Sequence, residues 1–192
     1  MSKALVVIVN GSPGAGKTTL GRRLAKDLKL PFLSKDDIKE CLFDTLGWSD
    51  RAWSQKLGGA SIELLFLLLE RQLEAGKSVV VEMPFVPVFH TPRLLNLARR
   101  YEFEPLQFCC VCDEVVLYER FQRRIDSGER HPGHAGQMCT LTEFKAGMIR
   151  ERFLEIGGSS INVDTTDLKK VNYSALEGTV ARTMRRLAAT DA

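Results

Sequence analysis

The sequence predicts an α/β fold in which five parallel strands form one sheet with helices packed on both faces. Three observations lead there. Short apolar runs alternate with longer amphipathic stretches, the pattern of repeated βα units. The first run, Ala4 to Val9, is continuously apolar and rich in β-branched residues, as a central strand buried on both faces requires. Finally, 192 residues with 44% hydrophobic and 27% charged content supply one sizeable core, read as one domain over 1–192.

Each element follows from local chemistry. Leu20, Leu24 and Leu28 recur at spacing four and predict a helix from Gly16 to Leu28. Phe32-Leu33 is a short second strand after Pro31, and Asp36 and Asp37 suit the first turn of a helix to Leu46. Gly47-Trp48-Ser49-Asp50 ends that helix, and a longer one is expected from Arg51 to Ala75, closed by Gly76. Ser78 to Glu82 forms the third strand. Pro84 and Pro87 are expected to keep the next loop out of helix, Pro92 to open the following helix, and Leu106 to Val111 to form the fourth strand. Asp113 caps a helix to Ile125. Asp126 to Met138, with Gly128, Pro132, Gly133 and Gly136, reads as a mobile loop, followed by a helix from Leu141 to Glu155. Ser160 to Val163 is the fifth strand and Tyr173 to Leu187 the last helix.

Charge and cysteine content narrow the function. Twenty-seven Lys and Arg against 24 Asp and Glu give +3, far from the basic surface of a protein that coats nucleic acid. The most apolar stretch, Ile62 to Leu69, contains Glu63 and falls short of the roughly 20 residues a bilayer span needs, so no membrane segment is expected. Met1 to Asn10 shows no signal-peptide pattern, and of five cysteines Cys109, Cys110 and Cys112 share one strand-like run where neighbours point apart. A cytoplasmic protein with reduced thiols is expected. Cys139, His131 and His134 match no zinc spacing.

Gly11-Ser12-Pro13-Gly14-Ala15-Gly16-Lys17-Thr18 fits G-x-x-x-x-G-K-[ST], directly after a strand and before a helix. The glycines let backbone N–H groups turn inward around phosphate, and the helix N-terminus adds its positive dipole end. Lys17 is placed to reach the β and γ phosphates of ATP and the Thr18 hydroxyl to hold Mg²⁺. A GTPase would also carry N-K-x-D, but Asn162-Val163-Asp164 lacks the lysine, and the D-x-x-G at Asp44-Thr45-Leu46-Gly47 ends a helix-like stretch.

Phosphoryl transfer to an alcohol needs a carboxylate beside the acceptor hydroxyl, and Asp36 or Asp37 at the end of the second strand faces the expected cleft. Both also read as ordinary first-turn acids. Glu82 ends the third strand, a position from which an acid reaches Mg²⁺ through water or binds substrate. Arg120, Arg123, Arg124 and Arg130 surround a glycine-containing lid over about 126–138, and Arg124 and Arg130 are the choices for neutralising the transferring phosphoryl group. His131 and His134 read as lid or surface residues as readily as substrate contacts.

These residues resemble small P-loop kinases of the nucleoside-monophosphate-kinase-like fold, in particular the chloramphenicol phosphotransferase-like group and the kinase domain of phage polynucleotide kinase. The likeness rests on the phosphate loop, Leu33-Ser34-Lys35-Asp36-Asp37-Ile38-Lys39, Val79-Val80-Val81-Glu82, the Arg-rich lid and Val163-Asp164-Thr165-Thr166. It implies a three-layer P-loop NTPase sandwich, Asp36 as the hydroxyl-activating acid, and Asp164, Thr165 and Thr166 near the adenine. With Gly11 through Thr18, Thr19 and Arg120, these make the expected ATP site; Asp36, Asp37 and Glu82 make the acceptor site. The chain departs from the antibiotic-modifying relatives in ending the third strand with one acid, Glu82, followed by Met83-Pro84.

The resulting expectation is an ATP- and Mg²⁺-dependent phosphotransferase acting on a hydroxyl of a small organic molecule. Trp48, Trp53, Leu57 and Phe66, with Phe85, Val88 and Phe89, form either an apolar pocket wall or plain core. Two alternatives stand beside it: a kinase for a nucleoside or a 5′-hydroxyl polynucleotide, for which Arg93, Arg99 and Arg100 share one helix, and an ATP-binding regulatory or toxin-like protein.

Overall fold

Strand periodicity decides the architecture. β1 (Leu5–Gly11) sends Val6 and Ile8 to one face and Leu5, Val7 and Val9 to the other, and all five are fully buried. A strand apolar on both sides needs cover on both sides. α1 (Lys17–Leu28) covers one face with Leu20, Leu24 and Ala25, after which β2 (Phe32–Ser34) and α2 (Lys35–Leu46) follow. α3 (Arg51–Glu74) covers the opposite face with Leu65, Phe66, Leu69 and Leu73. Then come β3 (Val79–Glu82), α4 (Pro87–Tyr101), β4 (Glu104–Val111), α5 (Glu114–Asp126), α6 (Leu141–Ala146), β5 (Ser159–Asp164) and α7 (Tyr173–Ala189). This computed structural model describes residues 3–134, 140–146, 148 and 153–189.

The five strands are parallel in the order β2-β3-β1-β4-β5, an α/β P-loop sandwich as expected. The chain passes from β1 to β2 on one side and from β3 to β4 on the other, so the crevice lies between β1 and β3. Register sets what meets there: Val9 and Ser34 both stand opposite Glu82, bringing the ends of β1, β2 and β3 level.

Asp113 caps its helix as expected, and Asp50 adds a cap the sequence reading did not assign. Asp50 caps α3 through the Trp53 N–H at 2.8 Å, and Asp113 caps α5 through Val115 and Val116 at 2.9 and 3.2 Å. Two expectations are corrected. Pro84 and Pro87 were expected to hold the loop out of helix until Pro92. Instead Pro87 is the first helical residue of α4, where its missing N–H costs nothing, and Pro92 lies inside the helix. The helix expected from Leu141 to Glu155 ends as α6 at Ala146, and residues 153–155 are not helical; residues 147 and 149–152 lie outside those described, as do 135–138 of the expected lid and Cys139. At Leu154 the Gln107 amide exchanges bonds with the backbone at 2.9 and 2.8 Å, which ties that segment to β4.

Candidate active site

The phosphate loop is built around two glycines in left-handed conformation, Gly14 at φ 82° and Gly16 at φ 79°. Among the described residues, the backbone N–H groups of Gly14, Gly16, Lys17 and Thr18 find no protein acceptor, so they are the orphan donors of the α1 N-terminus. A tetrahedral phosphate satisfies such donors. Lys17 is buried, its ammonium donating to the Ser12 carbonyl at 3.0 Å and lying 3.8 Å from Glu82.

Glu82 is the centre of the crevice. Its Oε2 accepts from the Thr18 hydroxyl at 3.2 Å and from the Ser34 hydroxyl at 3.0 Å. Burial pushes its carboxyl above the ordinary range, Asp36 adds to the rise, and Lys17 opposes it. A hydroxyl and a carboxylate beside orphan phosphate donors are the hard-oxygen donor set that suits Mg²⁺, so the residues fit a magnesium–nucleotide. Ser34 also accepts from the Asp37 N–H at 3.4 Å, which makes it the α2 N-cap, a role the sequence reading did not assign it.

The two neighbouring aspartates diverge. Asp37 is exposed and paired with Arg22 of α1 at 2.7 Å. Asp36 points into the cleft, bonded to Lys35 at 3.0 Å. Burial raises its pKa, but Lys35, His134 and Lys17 together outweigh it and hold the carboxyl below the ordinary value. Asp36 therefore stays ionised.

Across the cleft, Arg130 leaves α5 with its N–H on the Arg124 carbonyl at 3.2 Å and its guanidinium 5.1 Å over the Phe121 ring. Burial and Arg124 lower its pKa, while Asp36 and Glu40 raise it, so Arg130 lies within electrostatic reach of both acids. His134 bonds Glu40 at 2.8 Å, His131 lies 3.2 Å from Asp44 and stacks on Phe43 with centroids 5.1 Å apart. Burial keeps His134 neutral at pH 7 by lowering its pKa. The described part of the lid thus rests on α2.

Arg120 holds the turn after β5, donating to the Thr165 and Thr166 carbonyls at 2.8 and 2.9 Å. Asp164 accepts from the Thr166 N–H at 2.9 Å, and Leu168 packs on Gly16, so Asp164, Thr165 and Thr166 stand beside the phosphate loop. The apolar residues divide. Leu57, Phe66 and Phe85 are core, whereas Trp48, Val88 and Phe89 are exposed. Arg93 and Arg100, which would line a nucleic-acid channel, are paired with Glu63 and Glu70 at 2.7 and 2.6 Å. Sequence reasoning missed Lys39 as a site residue: 7% exposed, it donates to Ser54 at 2.9 Å, and burial lowers its pKa to about 8. Its place one turn after Asp36 on the face that also carries Phe43 was the available signal.

Residues 6–145 match the sequence profile described as an AAA domain. A protein from Chloroflexus aurantiacus J-10-fl that carries a provisional kinase assignment is 38% identical, with a TM-score of 0.88, covering 95% of this chain and 98% of its own. A gluconokinase from Sinorhizobium meliloti 1021 shares the fold at TM-score 0.56 and 20% identity, covering 100% of this chain and 98% of its own. A sugar kinase from Janibacter sp. HTCC2649 does so at TM-score 0.52 and 19% identity, covering 94% and 92%. No curated protein sequence matches. Among the described residues, no helix is long and apolar enough to cross a membrane.

Proposed function

We propose, from the premise that the chain belongs to the AAA domain family with a kinase-like P-loop fold, that it is a single-domain phosphotransferase moving the γ-phosphate of ATP to a hydroxyl of a small organic molecule. The observation that carries this reading is the crevice pair: Glu82 holding Thr18 and Ser34 at the phosphate loop, with the ionised Asp36 one step along α2.

In this mechanism the backbone N–H groups of Gly14, Gly16, Lys17 and Thr18 and the Lys17 ammonium hold the phosphate tail. Thr18 and Glu82 are the residues that would hold Mg²⁺, which when bound neutralises charge on the β and γ oxygens. Asp36 orients the acceptor hydroxyl and takes its proton as the new O–P bond forms; the bond from the γ-phosphorus to the β,γ-bridging oxygen breaks and ADP leaves. Arg124 and Arg130 neutralise the phosphoryl group in flight. Arg120 with Asp164, Thr165 and Thr166 shapes the nucleotide end. Asp37, tied to Arg22, acts only at the rim of the acceptor site. The narrower resemblance to chloramphenicol phosphotransferase-like proteins belongs to this proposal; pairing of Arg93 and Arg100 speaks against the polynucleotide alternative.

The test is a coupled ADP-release screen over sugars, sugar acids, nucleosides, antibiotics and 5′-hydroxyl oligonucleotides. Lys17→Ala abolishes turnover, and Asp36→Asn lowers kcat by at least about a hundredfold while nucleotide affinity stays within about threefold. An Asp36→Asn loss below about fivefold removes Asp36 from the chemistry, and ATP binding without transfer to any acceptor overturns the enzyme reading.

A further inference from the structure

One face of α2 carries Asp36, Lys39, Glu40 and Phe43, at the i, i+3, i+4, i+7 spacing of a helical stripe. This stripe meets Ser54 of α3 and Arg130, His131, Gly133 and His134 of the lid. Lys39 is out of place on it. Its ammonium donates to the neutral Ser54 hydroxyl, lies 5.1 Å from the Phe43 ring centroid and is flanked by Gly58. Among the described residues no carboxylate pairs with it: Asp36 is taken by Lys35 at 3.0 Å and Glu40 by His134 at 2.8 Å. A lysine buried to 7% exposure without a counter-ion is costly to keep, and a leucine or methionine would fill the volume without that cost.

The cations around it are also in excess. Lys35, Lys39 and Arg130 face two acids, Asp36 and Glu40, with His134 neutral. The phosphate loop does not account for Lys39. α2 begins beside Glu82 and runs away from it, so Lys39 stands one turn beyond Asp36; the charges that act on it are Lys35, Asp36 and Arg130. Asp36 itself feels Lys17. The order along the cleft is therefore phosphate-binding lysine, base, second lysine. What lies on the far side of the base is the part of the acceptor remote from its reacting hydroxyl.

We propose that the acceptor is itself an anion, and that Lys39 binds its carboxylate or phosphate and thereby turns its hydroxyl toward Asp36. This rests on the phosphotransferase reading and names the substrate class within it: hydroxy acids and sugar phosphates over neutral alcohols. Lys39 is a specificity-determining residue of the acceptor site. It is charged below about pH 8, so anion recognition weakens as pH rises through that value.

The experiment uses the full chain with two readouts on one panel: D-gluconate, D-glycerate, glucose 6-phosphate and glycerol 3-phosphate, with glucose and glycerol as neutral partners. Turnover is measured with Mg·ATP, and binding by calorimetry with a magnesium complex of a non-hydrolysable ATP analogue. At least one anion exceeds its neutral partner in kcat/KM and affinity by at least about tenfold, and the better arm tells carboxylate from phosphate. Lys39→Met collapses that ratio to near one. Lys39→Arg keeps it within about threefold and removes its loss above pH 8, because arginine stays protonated. Preference for the neutral partner, or an anion ratio unchanged in Lys39→Met, overturns the inference while leaving a kinase intact. Lys39-dependent anion binding without phosphoryl transfer upholds it and overturns the phosphotransferase reading. No anion binding and no transfer overturns both.

Discussion

Replacing Lys39 by methionine removes a buried ammonium while keeping most of the side-chain volume, and the stability change can be worked out beforehand. Burial takes the Lys39 pKa from 10.5 to about 8. At about 1.4 kcal/mol per pH unit, that fall means the folded state pays about 3 kcal/mol to hold the charge. Methionine avoids that cost but gives up the bond to Ser54, worth about 1 kcal/mol. The net gain at pH 7 is about 2 kcal/mol, or roughly 4–8 °C in melting temperature for a chain of this size. The pH dependence carries a definite sign. Between pH 8 and 10.5 the unfolded chain holds a proton that the folded chain has released, so the native protein gains stability as pH rises through that window and Lys39→Met does not. The advantage of Lys39→Met is therefore full below pH 8 and gone by about pH 10.5. Differential scanning calorimetry of both proteins at pH 7, 8.5 and 10 reads this directly, since other titrations cancel in the difference. A Lys39→Met protein that melts below the native one at pH 7, or a gap constant across the three pH values, refutes the argument.

Other sites yield further expectations. Glu82→Gln should raise the Mg²⁺ concentration for half-maximal turnover by about 10–100-fold, measured by metal titration at saturating ATP. In the native enzyme, the raised Glu82 pKa places the acid limb of kcat/KM above the ordinary glutamate value of 4.5, activity falling as pH drops; Asp36, held below its own ordinary value, titrates at lower pH. Gly133→Ala would place a Cβ 2.6 Å from the Phe43 ring, so the lid should lift from α2; faster amide exchange over residues 127–134 with a raised acceptor KM is the expected result. Gly158 has φ 73° and would drive a Cβ into the Pro105 carbonyl oxygen, so Gly158→Ala should cost about 2 kcal/mol or more in urea unfolding.

Much of the fold was legible because its signals are local and strong. The unbroken run in β1, the G-x-x-x-x-G-K-[ST] spacing and the cap at Asp113 depend on neighbours in sequence. α4 was misplaced because proline punctuates ambiguously: Pro87 and Pro92 are both compatible with a helix start, and only the packing of Leu94 and Leu97 on the sheet decides. The non-helical path at Leu154 rests on Gln107, whose bonds to it span 47 positions and leave no local trace. Asp36 pairs with Lys35 and Asp37 with Arg22, and sequence order alone leaves that difference open. Lys39 was passed over because lysine is read as a surface residue by default; its burial needs α3 to supply Ser54 and the lid to close over Phe43.

The Ser34 oxygen serves two masters at once, ending one strand's conversation with Glu82 while starting the helix that bears Asp36. Glu82 and the helix that carries Asp36 are in this way mounted on a common rivet only one atom wide. Neither can drift without dragging the other.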